Sequence, residues 1–279
     1  MSSRRKFIQQ SVLGIGSVAA LPLAGIASTA ALADNESSLQ VGMAGYTFAK
    51  FDVEKSIDIM KRVNVKSLSL KDFHLPLDST PEKIQSVLAQ FTAGGINVYA
   101  VGVIYMKTKE AVDQAFDYAK KVGVSLIVGV PNPELIDYAE QKVKSSNIRL
   151  AVHNHGPEDK LYPSPKIVYD LIKKLDERVG LCIDIGHSTR AGQDPAKAVL
   201  DYNKRVFDLH IKDVTEAVKD GKAIEVGRGI IDFPALVKAL NKIKYKGFCS
   251  LEFEKDMSDP LPGIAESAGF FKGVVKTVG

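Results

Sequence analysis

Residues 180–213 read GLCIDIGHSTRAGQDPAKAVLDYNKRVFDLHIKD, two apolar runs flanking a helical segment. Two short apolar runs, Gly180–Asp184 and Arg205–Ile211, are nearly continuous in hydrophobicity, as strands buried on both faces should be. Each ends abruptly in polar residues. Between them Asp194 stands where a helix N-cap belongs, and Pro195 takes the first helical position. The stretch is therefore a strand, a helix and a second strand.

Working outward, the same unit recurs until eight strands are counted. The other six are predicted at Leu39–Ala44, Val65–Leu70, Ile96–Val101, Val124–Val128, Ile148–His153 and Gly247–Glu252. Helical faces lie between them: Val112, Phe116 and Ala119; Leu135, Ala139 and Val143; Val168, Leu171 and Leu175; Phe233, Leu236, Val237 and Leu240. Asp52 and Thr80 are further N-caps, with Pro81 following. Three helix-to-strand joints carry Asn64, Gly95 or Gly123 before a β-branched residue, which suits a left-handed cap feeding a strand. Eight such units make either a closed (β/α)8 barrel or an open doubly wound sheet. No G-x-G-x-x-G follows the first strand, and polar residues gather after several late strands. Both points favour the barrel, an α/β fold of about 250 residues in one domain.

The first residues stand outside this pattern. Ser3-Arg4-Arg5-Lys6-Phe7 reads as a twin-arginine export signal, an uncharged stretch runs from Ser11 to Thr29, and Ala31-Leu32-Ala33 offers a cleavage site. The expectation is a signal over residues 1–33, a barrel over 34–279, and a periplasmic or otherwise exported protein with no lasting membrane anchor. Of the net charge of +4, Arg4, Arg5 and Lys6 supply three, so the barrel is left at +1. That balance gives no electrostatic case for nucleic acid. Cys182 is expected to point into the barrel and Cys249 out toward the helices, as two separate buried thiols.

Barrel enzymes place their chemistry at the carboxyl ends of the strands. Strand five ends in His153-Asn154-His155, strand six in Asp184-Ile185-Gly186-His187, strand seven in His210-Ile211-Lys212, and strand eight in Glu252-Phe253-Glu254. Because side chains alternate, His153, Asp184, His210 and Glu252 can all face the barrel axis. Ordinary loop-bonded polar tips would explain any one of them. Four neighbouring tips of ligand type point instead to one divalent cation, with Mn, Co or Zn suited to two imidazoles and two carboxylates. His155 and His187 are candidate catalytic or substrate contacts, and Lys212 is a candidate oxyanion stabiliser or base.

The segments LAVHNHGPED, LCIDIGH, FDLHIKD, VGRGIIDFPAL and LEFEKD together resemble the sugar phosphate isomerase/epimerase family, with its xylose-isomerase-like barrel. In that family Glu, Asp, His and Glu from strands five to eight hold the metal. The resemblance implies Asp184, His210 and Glu252 as ligands, with His187 and Lys212 touching substrate. Strand five departs from the pattern: His153 stands where relatives carry Glu, and His155 is the alternative ligand two residues on. Epimerisation at one carbon suits paired glutamates on two faces, so their loss shifts weight toward a single committed proton abstraction, as in β-elimination.

The resemblance thus implies a metal-dependent enzyme on a small carbohydrate, working through an enediolate, with Glu252 or a nearby His moving the proton. Isomerase or epimerase action and lyase action on a 3-keto-glycoside both remain open. The rival classes are a non-catalytic sugar-binding barrel and a DNA-processing metallohydrolase, the latter disfavoured by charge and export signal. Lys71 and His74 after strand two, Arg228 between two glycines, and Glu254 are candidate substrate contacts. Tyr105 either stacks on a sugar or packs. A homodimer is compatible with everything above.

Overall fold

The computed structural model describes residues 39–278. The strands are β1 (Gln40–Ala44), β2 (Ser67–Leu70), β3 (Asn97–Met106), β4 (Leu126–Pro131), β5 (Arg149–His153), β6 (Val179–Asp184) and β7 (Val206–Ile211). A hairpin of β8 (Asp213–Val214) and β9 (Ala223–Ile224) follows, and then β10 (Phe248–Leu251). Eight of them close a barrel in the order β1-β10-β7-β6-β5-β4-β3-β2, with every neighbouring pair parallel. The helices are α1 (Val53–Arg62), α2 (Pro81–Ala93), α3 (Lys109–Val122), α4 (Ile136–Ser146), α5 (Pro165–Ile172), α6 (Ile185–Arg190), α7 (Pro195–Asp201), α8 (Phe233–Lys242) and α9 (Leu261–Val278). The proposed export signal lies outside the described residues. Among those residues no helix is long and apolar enough to cross a membrane.

Local chemistry sets the helix ends. Asp52 accepts a hydrogen bond from the Lys55 amide at 2.8 Å, Thr80 caps α2, and Asp194 accepts from the amides of Ala196 and Lys197. Asn64, Gly95 and Gly123 all adopt positive φ at the joints where the sequence demanded it, at 51°, 75° and 83°. The anticipated faces of α3 and α8 are buried. On α5 the buried positions are Val168 and Ile172, while Leu171 and Leu175 are only partly covered. The helix ends at Ile172, which takes Leu175 off its face.

Two features differ from the sequence reading. β3 runs past Val101 to Met106, because an irregularity between Val101 and Ile104 carries the strand through Gly102 instead of ending it. After β7 the chain makes the β8–β9 hairpin before α8, at two residues per strand too short to leave a periodic signal. Both cysteines are free and fully buried.

Candidate metal centre and cleft

Asp184 is the last residue of β6 and also the N-cap of α6. Its Oδ1 accepts the His187 amide at 2.8 Å, which fixes the carboxylate plane and leaves Oδ2 buried and turned toward His153 and Lys212. Asn154, just after β5, accepts the Asp184 amide at 3.1 Å, so the tips of β5 and β6 are tied together. The parallel register places Asp184 beside His210 on β7.

From these tips His153, Asp184, His210 and Glu252 converge. One ligand atom from each lies within 4.8 Å of all the others. The four residues are 2, 0, 1 and 6 % exposed. His153 Nε2 is 3.1 Å from His210 Nδ1, which is 3.2 Å from Glu252 Oε2, and His153 Nε2 is 3.8 Å from Asp184 Oδ2. A tetrahedral ion with bonds of about 2.1 Å separates its ligands by roughly 3.4 Å, so these residues fit a divalent cation. The independent sign is the surplus of buried negative charge: Asp184 and Glu252 converge here with Lys212 as the ammonium between them, and buried carboxylates are costly unless cations meet them.

Lys212 brings a second cationic group. Its Nζ lies 3.2 Å from Asp184 Oδ2 and 3.0 Å from both Glu252 Oε2 and Glu254 Oε2. Burial alone would push this ammonium down, but Asp184, Glu252 and Glu254 outweigh it and hold Lys212 well above its ordinary range. It is a fixed cation, not the base that burial alone could have made of it. Burial would likewise raise Glu252, yet Lys212 and His210 keep it well below the usual carboxylate range. Burial raises Glu254, only partly offset by Lys212. Burial lowers His153 strongly, while the neighbouring Cys182 and Glu252 hold His210 high against burial.

A cleft of about 300 Å³ opens over this cluster, lined by Tyr46, Lys71, Val103, Tyr105, His153, His155, His187, Glu252 and Glu254. A larger groove of about 540 Å³ lies at the amino ends of β4 and β5, where none of the anticipated site residues reach. His155 is not in the quartet. Its Nδ1 is 3.3 Å from Asp159 Oδ2 and its Nε2 is 3.0 Å from the Tyr105 hydroxyl. His187 accepts from Arg190 at Nδ1 (3.2 Å), with Nε2 3.9 Å from Asp184, and burial lowers its pKa to about 4. Lys71 reaches the rim while bonded to Asp72 and the Val103 carbonyl.

Two anticipated substrate contacts are placed elsewhere. His74 Nε2 bonds Ser56 and the Phe51 carbonyl, so the ring packs against the start of α1 instead of lining the cleft. Arg228 forms a two-pronged pair with Glu266 on α9. The reason is Asp213, whose carboxylate accepts the amides of Gly227, Gly229 and Ile231 and pins that loop with Arg228 turned outward. Asp159 and Arg190 escaped the sequence reading, although the four-residue spacing from His155 to Asp159 was available as a signal.

Comparison with known proteins agrees with this architecture. The family model for the xylose isomerase-like TIM barrel matches residues 44–274. The rhizopine catabolism protein MocC of Rhizobium meliloti is 31 % identical over 144 residues, 46 % of this chain and 43 % of MocC. An inosose dehydratase of Klebsiella pneumoniae is 34 % identical over 100 residues, 29 % of this chain and 33 % of that protein. The chain thus spans less than half the length of these relatives. The crystal structure of the IOLI protein with a bound zinc atom superposes with a TM-score of 0.70 at 16 % identity, over 85 % of this chain and 98 % of that one. With its closed eight-stranded parallel barrel and a family match across nearly all of it, the chain belongs to the xylose isomerase-like TIM barrel family.

Proposed function

We propose that the chain is a divalent-metal-dependent enzyme that removes the proton α to a carbonyl of a sugar or polyol and expels the β-oxygen as water. The observation that carries this reading is the convergence of four buried ligand atoms within 4.8 Å beneath an open cleft. His153, Asp184, His210 and Glu252 would hold the ion, which when bound would polarise the carbonyl and offset charge on its oxygen. The Lys212 ammonium, held charged foremost by Asp184 and Glu252, adds a fixed positive potential at the same oxygen.

His155 suits the role of base. Asp159 faces its Nδ1, so the proton of the neutral ring belongs there, and Nε2 accepts from the Tyr105 hydroxyl, which substrate would displace to reach the base. Glu252 is a weaker choice, because Lys212 and His210 hold its Oε2 as a tightly paired anion. Arg190 donates to His187 Nδ1, which puts that ring's proton on Nε2 as a hydrogen-bond donor for substrate. In the elimination the α-carbon proton passes to His155, the carbon–oxygen bond at the β-position breaks, and the oxygen leaves as water with a proton from Glu254, the cleft carboxyl that burial raises above its ordinary range. The dehydratase named among the relatives supports this outcome, and so does His153 in place of a second glutamate. The export signal read from the sequence would place the reaction outside the cytoplasm, on an unphosphorylated substrate.

The test is incubation of metal-loaded protein with inosose, 3-keto-glucosides and free ketoses in heavy water. The expected result is deuterium at the α-carbon of one class, with loss of water. Exchange followed by ketose interconversion without elimination would make it an isomerase. No exchange with any class would leave a sugar-binding barrel.

A further inference from the structure

We infer that the barrel holds a second, deeper seat for a soft cation, formed by His153, Cys182 and His210 and exclusive with the quartet above it. The inference deepens the metal-centre reading and rests on it only through the two shared imidazoles. Alternation puts Cys182 on the same inner face as Asp184, two residues earlier on β6 and so about 7 Å further into the barrel. The β5–β6 register sets Cys182 beside His153. One donor atom from each of the three residues lies within 4.8 Å of the others, and all three residues are buried. The thiol bears directly on the His210 imidazole. The facing nitrogens His153 Nε2 and His210 Nδ1, 3.1 Å apart, are the ones that also meet Asp184 and Glu252, so the two seats share donors.

Donor chemistry separates the two seats. Two carboxylates above suit Mn²⁺ or another oxygen-seeking ion, whereas a thiolate with two imidazoles selects a softer one. Occupation of the deep seat forms a sulfur–metal bond as the thiol proton leaves to solvent. Cys249 lies on the opposite face of β10 and cannot substitute or form a disulfide. Because both seats draw on His153 and His210, filling one empties the other. A soft cation therefore displaces the working ion without touching Asp184 or Glu252.

The experiment titrates Cd²⁺ alone into the full chain and follows thiolate-to-cadmium charge-transfer absorption, then repeats it with Mn²⁺ bound and reads Mn²⁺ release by electron paramagnetic resonance. One equivalent of Cd²⁺ should give the band and release the Mn²⁺. Cys182→Ser should lose the band and weaken Cd²⁺ more than about tenfold while still binding Mn²⁺. Cys249→Ser should keep the band, and Asp184→Asn should lose Mn²⁺ but keep it. If Cys182→Ser misfolds by circular dichroism, Cys182→Ala takes its place. A band that survives loss of Cys182, or Mn²⁺ binding with no Cd²⁺ band in the parent, overturns the deep seat and leaves the quartet standing. A Cd²⁺ band in a parent that never binds Mn²⁺ sinks the quartet instead.

Discussion

Two polar clusters sit in the same barrel, one turn of the pleat apart. The lower one joins Tyr99 on β3, Asp208 on β7 and Ser250 on β10; the upper one uses His210 and Glu252, each two residues further along from Asp208 and Ser250. In the lower cluster the Tyr99 hydroxyl donates to Asp208 Oδ2 at 2.7 Å and meets Ser250 Oγ at 2.5 Å, while Asp208 Oδ1 accepts the Leu209 amide at 2.9 Å. Its carboxylate oxygens are all partnered. The upper cluster leaves His153 Nδ1 and His210 Nε2 without hydrogen-bond partners at full burial, and gathers the Asp184 and Glu252 carboxylates around the ammonium of Lys212. Polar groups that satisfy one another hold architecture; groups that converge and remain unsatisfied are arranged for something brought from outside.

The sharpest way to break this contrast is to remove one oxygen from each cluster. Asp184→Asn should abolish Mn²⁺ binding at stoichiometric concentrations and lower turnover by more than about 10⁴-fold, beyond what loss of one proton-transfer group costs. Asp208→Asn, equally buried, should leave metal content unchanged by elemental analysis. If the two variants lose metal alike, the distinction between the clusters is wrong. Next in size is His155→Gln, which should reduce turnover by about 10²–10⁴-fold with metal content intact. A loss of metal there would move His155 into the ligand set in place of His153.

The upper cluster was legible in the sequence because ligand types repeat at strand tips, and alternation alone sends His153, Asp184, His210 and Glu252 to the axis. Parity cannot separate His153 from His155, two residues apart, and the choice between them rested on register along the strand. The lower cluster was invisible: Tyr99, Asp208 and Ser250 lie within apolar runs on three strands that only barrel closure brings together. His74 and Arg228 misled because proximity in sequence to a strand end does not fix where a long side chain turns. His74 found Ser56 on α1, and Asp213 decided the direction of Arg228 from fourteen or more residues away. Asp159 reaches His155 from a loop, and Arg190 reaches His187 within the short helix α6, whose six residues are too few for a periodic signal.

The lower cluster also makes a prediction in pH. Burial raises Asp208 to about 7, against a partial pull downward from His210 and Tyr99. The folded state therefore binds this proton more tightly than the unfolded chain, and its contribution to stability is lost as pH rises from about 4 to 7. Asp208→Asn removes that loss, so denaturant unfolding at pH 5 and pH 8 should show the variant gaining on the parent with pH, by about 3 kcal/mol at most. A gap that is constant with pH would mean Asp208 stays ionised throughout.

Tyr99→Phe gives the smallest effect and the most specific one. The Tyr99 hydroxyl donates to the charged form of Asp208, so its removal leaves an unmet carboxylate oxygen and should cost about 1–3 kcal/mol. The cost should be larger at pH 8, where Asp208 must carry its charge, than at pH 6, where it can keep its proton. The sign is thus opposite to that for Asp208→Asn, which improves relative to the parent over the same range. The double variant should lose the pH dependence while metal content stays at the parent level. Only a cluster closed on itself behaves this way, since a cation shared with the upper layer would couple Tyr99 to metal affinity.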